Sequence, residues 1–147
     1  MKARRVLHPS DFSPASRAAF RRAVAIAKAE RAELLIVHAT VPVIPQAGDG
    51  FVPANVYDDI ERAIRDDARQ RLDKLVATAK AAKIRVRSLL LDGTPAEQIV
   101  RAARKHRADL IVIGTHGRTG LARVLLGSVA ARVVGTAPCP VLTVRAK

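Results

Sequence analysis

Short apolar runs alternate with segments of helical periodicity from one end of this chain to the other, and that alternation restricts the fold more than any other feature. The first run, residues 4–8, ends in Pro9-Ser10-Asp11, which reads as a strand and its exit turn. Ser13-Pro14 then sets an N-cap residue before a proline at the first helical position. The Ala-rich stretch to Ala32 follows with apolar residues at helical spacing. Residues 34–39, Leu-Leu-Ile-Val-His-Ala, form a continuous apolar run of the kind a parallel sheet covered on both faces produces.

Residues 40–56 hold Pro42, Pro45, Gly48, Gly50 and Pro53 and read as a long irregular loop. Residues 57–83 predict a long amphipathic helix with mixed charges on its polar face. Residues 84–91 alternate and predict a third strand nearer an edge. Thr94-Pro95-Ala96-Glu97 has the form of a capping box opening a helix to about Lys105. Residues 109–113 and Pro140-Val141-Leu142-Thr143-Val144 predict the last two strands, separated by a segment with a turn-rich start and a helical end. The order β-α-β-α-β-α-β-α-β, with no internal repeat or linker, predicts an α/β fold. It is a single domain over residues 1–147, built on a doubly wound five-stranded parallel sheet with helices on both faces.

Length and composition narrow the rest. A chain of 147 residues with 49% hydrophobic side chains can bury one sizeable core. No apolar run approaches a membrane span, and His8, Pro9 and Asp11 interrupt the N-terminal run before a signal-peptide core can develop. One Cys makes no internal disulfide, so the expected location is the cytoplasm. The formal net charge of +13 is uneven, with +5 in residues 1–33 and +8 in residues 101–147. Such a field attracts polyanions. Against a nucleic-acid module stand only four aromatic side chains, and no helix whose sequence gathers Lys and Arg on one face.

In an open α/β sheet, ligands sit beyond the carboxyl ends of the strands where the strand order reverses. A 3-2-1-4-5 order would make the first and fourth strands neighbours, so Pro9-Ser10-Asp11 and the loop after Ile113 would border one cleft. That loop reads Gly114-Thr115-His116-Gly117-Arg118-Thr119-Gly120, and later Gly127-Ser128-Val129. Its glycines allow positive φ and close backbone approach to an anion, and Ser128 can cap the following helix. The same spacing also fits a glycine-rich connection with no ligand. Asp11 is either a turn-capping residue or a ligand acceptor. Arg118 and Arg123 either contact phosphate or are simply solvated. Gly-x4-Gly-Lys-Ser/Thr and Gly-x-Gly-x-x-Gly are both absent, which excludes the usual P-loop and dinucleotide sites.

Gly114-x2-Gly117-x9-Gly127-Ser128 resembles the ATP-binding motif of the universal stress protein family, and the resemblance extends over essentially the whole chain. Leu7-His8-Pro9-Ser10-Asp11-Phe12-Ser13, Asp92-Gly93-Thr94-Pro95-Ala96-Glu97 and Ala137-Pro138-Cys139-Pro140-Val141-Leu142 are similar to further parts of its pattern. The resemblance implies a Rossmann-like fold of the adenine nucleotide alpha hydrolase type and a cleft for ATP, ADP or AMP, with magnesium accompanying the phosphates. By matching position, Asp11 would hold the ribose, with Pro9 and Ser10 at the entrance. Backbone groups at Ala39 would read the adenine edge. Gly114, Gly117, Gly127, Ser128 and Val129 would wrap the phosphates, with Ile113 and Arg118 beside them. It further implies a regulatory or sensory role in the stress response, with at most weak ATP hydrolysis. It also implies a homodimer paired through the last strand, whose apolar edge would otherwise be exposed. The alternatives are a basic polyanion-binding module and a phosphotransfer enzyme, for which His116 is the sole candidate base. Cys139, between two prolines, reads as a small buried residue at a strand entry, and His8 and His38 as structural.

Overall fold

A computed structural model describes residues 2–45, 50, 52–115 and 126–146. Five strands and four helices alternate among them: β1 (Arg5–Pro9), α1 (Pro14–Glu30), β2 (Glu33–Thr40), α2 (Ala54–Ala81), β3 (Arg85–Asp92), α3 (Pro95–Lys105), β4 (Leu110–Gly114), α4 (Ser128–Thr136) and β5 (Val141–Val144). The strands form one parallel sheet in the order β3-β2-β1-β4-β5. This is the predicted architecture, with β3 at one edge and β5 at the other. Among the described residues, no helix is long and apolar enough to cross a membrane.

The three inner strands are buried on both faces, which explains their unbroken apolar runs. Val6, Leu34, Ile36 and Val112 point to one side and pack under α1 and α2. Leu7, Leu35, Val37, Ile111 and Ile113 point to the other and pack under α3 and α4. Each such Leu, Ile or Val contributes about 1.5–3 kcal/mol by leaving water. In α1 the buried face is Ala15, Ala19, Phe20, Ala23 and Ala27. Methyl-sized side chains let this helix lie close to the sheet.

The helix ends show how local chemistry sets the boundaries. Ser13 caps α1 as predicted, its hydroxyl accepting the Ser16 N–H at 3.2 Å. The capping box predicted at Thr94 does not close, because Thr94 makes no side-chain cap bond. Its partner Glu97 turns instead to Arg132 of α4, at 3.0 Å, and so ties the two helices of that face together. Ser128 is likewise not a cap: Gly127 occupies the N-cap position and Ser128 is the first residue of α4. With no side chain at the cap, the first N–H groups of α4 are left to another acceptor.

Candidate functional site

Strand order reverses between β1 and β4, since β1 connects towards β2 and β3 on one side while β4 and β5 lie on the other. A cavity of about 290 Å³ opens there, beyond the carboxyl ends of the inner strands. It gathers Pro9, Ser10 and Asp11 from the end of β1, Ala39 from β2, and Ile113 and Gly114 from β4. Gly127, Ser128 and Val129 enter it from the N-terminus of α4. Of the residues singled out from sequence, Gly117 and Arg118 lie outside the described residues, as do His116 and Arg123.

Two backbone hydrogen bonds join the pieces. Thr115 N–H donates to Val144 O at 3.0 Å, fixing the exit of β4 against β5. Gly127 N–H donates to Thr115 O, so residues far apart in sequence meet and the start of α4 is delivered to the end of β4. The partial positive charge of the α4 N-terminus therefore faces the cavity through Ser128 and Val129.

Gly114 is glycine for a reason other than the predicted one. Its φ is not positive. A Cβ there would stand 2.8 Å from the Ala15 carbonyl carbon and 2.9 Å from its oxygen. The end of β4 is pressed against the first turn of α1, and only glycine permits that contact.

The turn after β1 is held by its own side chains. Asp11 Oδ1 accepts the Ser13 N–H at 3.0 Å, an Asx turn, so the turn-forming role of Asp11 is real while the residue also lines the cavity. Ser16 Oγ donates to Ser10 Oγ at 3.0 Å, and Ser10 Oγ accepts Phe12 N–H at 3.2 Å. Phe12 itself is left-handed at φ 64, an uncommon conformation for a bulky residue. Its ring stacks on His38 with centroids 4.6 Å apart, and the Arg71 guanidinium lies 5.6 Å from the ring centroid.

His38 is more than a core histidine: it lines the cavity, and its Nδ1 donates to Ser10 O at 2.6 Å. Ser13, Ser16 and Thr115 also line it, as do Pro95 and Ile99 from α3, none of which the sequence assigned to the ligand. A seryl residue one turn into an Ala-rich helix carries no motif. Its place in the cavity follows only from β1 and β4 being neighbours.

The free edge of β2 supplies the last element. Ser10 N–H donates to Val37 O at 2.8 Å, so the Val37 carbonyl points towards β1. Strand alternation aims the N–H and C=O of Ala39 the same way, past the point where β1 ends. A donor and an acceptor side by side at a cavity wall suit the edge of a planar heterocycle.

His8 lies beneath the site, fully buried, with Nδ1 donating to Val112 O at 2.9 Å. Its Nε2 has no hydrogen-bond partner among the described residues. Burial lowers its pKa to about 4, against smaller opposing effects of the Val112 hydrogen bond and the Asp11 charge. It is a neutral structural histidine, as expected. Cys139 is only half-buried, not buried as expected, because it sits at the entry of the edge strand β5; burial and the Asp109 carboxylate both push its thiol pKa up, which leaves it a weak nucleophile. Among the described residues, no group of His, Cys, Asp and Glu side chains converges as a metal site.

The model of the universal stress protein family matches residues 2–145. The chain belongs to the universal stress protein family. A relative from Methanocaldococcus jannaschii, the universal stress protein MJ0531, is 38% identical over 143 residues, covering 97% of this chain and 82% of the relative. The solved structure of MJ0577, from the same organism, superposes with a TM-score of 0.87 at 24% identity, covering 100% of this chain and 99% of that one. A universal stress protein solved in complex with cAMP superposes with a TM-score of 0.73 at 28% identity, covering 100% of both chains. Both solved structures thus share the fold described above over its full length.

Proposed function

We propose that this universal stress protein binds an adenine nucleotide in the cavity at the β1–β4 switch point and acts as a nucleotide-dependent regulator or sensor in the stress response. The observation that carries the reading is the junction of Thr115 with Gly127. It sets the free N–H groups of α4 across one cavity from Asp11 and from the unpaired edge of β2 at Ala39. Each part suits one part of the ligand. The N–H and C=O of Ala39 match the donor and acceptor on the adenine edge. Asp11 accepts from ribose hydroxyls, with Pro9 and Ser10 at the entrance. The start of α4, with Gly127, Ser128 and Val129, takes phosphate beside Ile113 and Gly114. The relative solved with cAMP supports an adenine ligand.

ATP, ADP and AMP share every group this site would recognise. Asp11 is the sole carboxylate among the described residues lining the cavity, so magnesium would be held chiefly by the phosphates. The protein acts in the cytoplasm as one universal stress protein domain over residues 1–147. It acts as a homodimer, pairing through the free edge of β5.

Calorimetric titration with ATP, AMP and cAMP tests the site. Gly127→Val places a branched side chain among the phosphate donors, and Asp11→Ala removes the ribose acceptor. Wild-type protein is expected to release heat and Gly127→Val to lose at least tenfold in affinity. Equal affinities for the two, or no heat with the wild type, would overturn the reading.

A further inference from the structure

The two basic ends of this chain meet. Residues 1–33 carry +5 and residues 101–147 carry +8, and the sheet order sets α1 beside β4 and β5. A shallow groove of about 550 Å³ runs between α1 and the end of β5, on the opposite flank of α1 from its buried face. Arg17, Arg21 and Arg22 line it from the helix and Arg145 from the segment after β5. All four are exposed, and none forms an ion pair among the described residues. Arg17 donates only to the Phe12 carbonyl, at 3.2 Å. Among the described residues, no carboxylate lines the groove.

By contrast, Arg5, Arg62, Arg65, Arg71, Arg87 and Arg132 each hold an acidic partner. Unpaired guanidinium groups along one groove repel each other, and an anion laid between them removes that cost. The apolar lining is Ala18, Ala25 and the partly buried Val144, with no aromatic and no large apolar side chain among the described residues. A protein partner needs a desolvated apolar anchor, and this groove has none. Base stacking needs an aromatic platform, which is absent too. What remains is recognition of a continuous phosphodiester backbone by charge and by guanidinium hydrogen bonds.

We infer that the α1–β5 groove docks the phosphate backbone of duplex nucleic acid, without base-sequence preference. The groove uses the α1-facing side of β5 and leaves its outer edge free, so strand pairing between copies and backbone docking do not compete. The nucleotide cavity lies at the carboxyl ends of β1 and β4 and shares no lining residue with the groove. The groove corrects the expectation that no helix gathers Lys and Arg on one face: Arg17, Arg21 and Arg22 share one flank of α1, and the fold brings Arg145 beside them from the far end of the chain.

Fluorescence anisotropy of a labelled duplex DNA, titrated with the full chain over a range of salt, tests the proposal. Four phosphate contacts predict a log–log salt slope of about −3.6. Arg21→Ala with Arg22→Ala should reduce that slope by roughly two units. Arg101→Ala with Arg104→Ala removes the same charge from the exposed face of α3 and should leave the slope within roughly one unit of wild type. Unchanged circular dichroism and nucleotide calorimetry would show each variant folded and separate this outcome from the fate of the nucleotide reading. No wild-type binding at low salt, or equal losses from the α1 and α3 pairs, would overturn the inference. So would polyglutamate of matched charge competing as well as DNA, which would assign the groove to an acidic protein instead.

Discussion

At the scale of single residues, the most constrained positions have neighbours that the sequence does not announce. Gly114 stands in a glycine motif, and its residue type was legible. Its physical reason, the backbone of Ala15 at 2.8 Å, comes from another element altogether. Gly114→Ala must therefore displace α1 or β4, and we expect a loss of about 1–3 kcal/mol in denaturant unfolding together with weakened nucleotide binding. His8 makes a second prediction. Its folded pKa of about 4 lies below the ordinary 6.5. The unfolded chain therefore binds the extra proton first as pH falls. The contribution of neutral His8 is fully present above about pH 6.5 and is lost as pH falls towards 4, by about 3 kcal/mol in all. His8→Asn keeps a donor near Nδ1 but does not titrate. Urea unfolding at about pH 7.5 and about pH 4.5 should show a much smaller difference for the variant than for the wild type.

At the scale of elements, periodicity located every strand and helix to within a few residues, because each element must present an apolar face to the same sheet. What periodicity could not give was the use made of each end. Thr94-Pro95-Ala96-Glu97 has the capping-box pattern, yet Glu97 finds Arg132, a partner visible only once α3 and α4 lie side by side. Ser128 looks like a cap and is the first helical residue, which leaves the α4 N–H groups for a ligand. The Ala-rich character of α1 was plain, whereas its cause is the close approach of this helix to β1 and β4. Ala23 is fully buried on that face. Ala23→Leu should overpack it and cost about 1–3 kcal/mol, measured as a lower urea midpoint with an unchanged m value.

At the scale of the whole molecule, strand order does the positioning. Placing β1 next to β4 makes the cavity, and placing α1 over β4 and β5 joins the two basic ends into one groove. Neither can be read from local sequence, although the alternation of elements already implied the topology. The open edge of β5 belongs to this scale as well. Pro140 O accepts Ile111 N–H and Val144 O accepts Thr115 N–H, so the backbone groups of Thr143 face outward by alternation. Thr143→Pro removes an outward N–H without breaking the β4–β5 ladder. Sedimentation should find the wild type dimeric and Thr143→Pro monomeric, with matching circular dichroism. A wild-type monomer would remove strand pairing as the mode of assembly.

The central claim is that an adenine nucleotide occupies the switch-point cavity, and amide chemical shifts during a titration with ATP report on it residue by residue. Saturable changes are expected to concentrate at Asp11, Ala39, Gly114 and residues 127–129, with the amides around Arg21 and Arg22 little affected. Changes confined to the arginine groove, or none at saturating nucleotide, would contradict it.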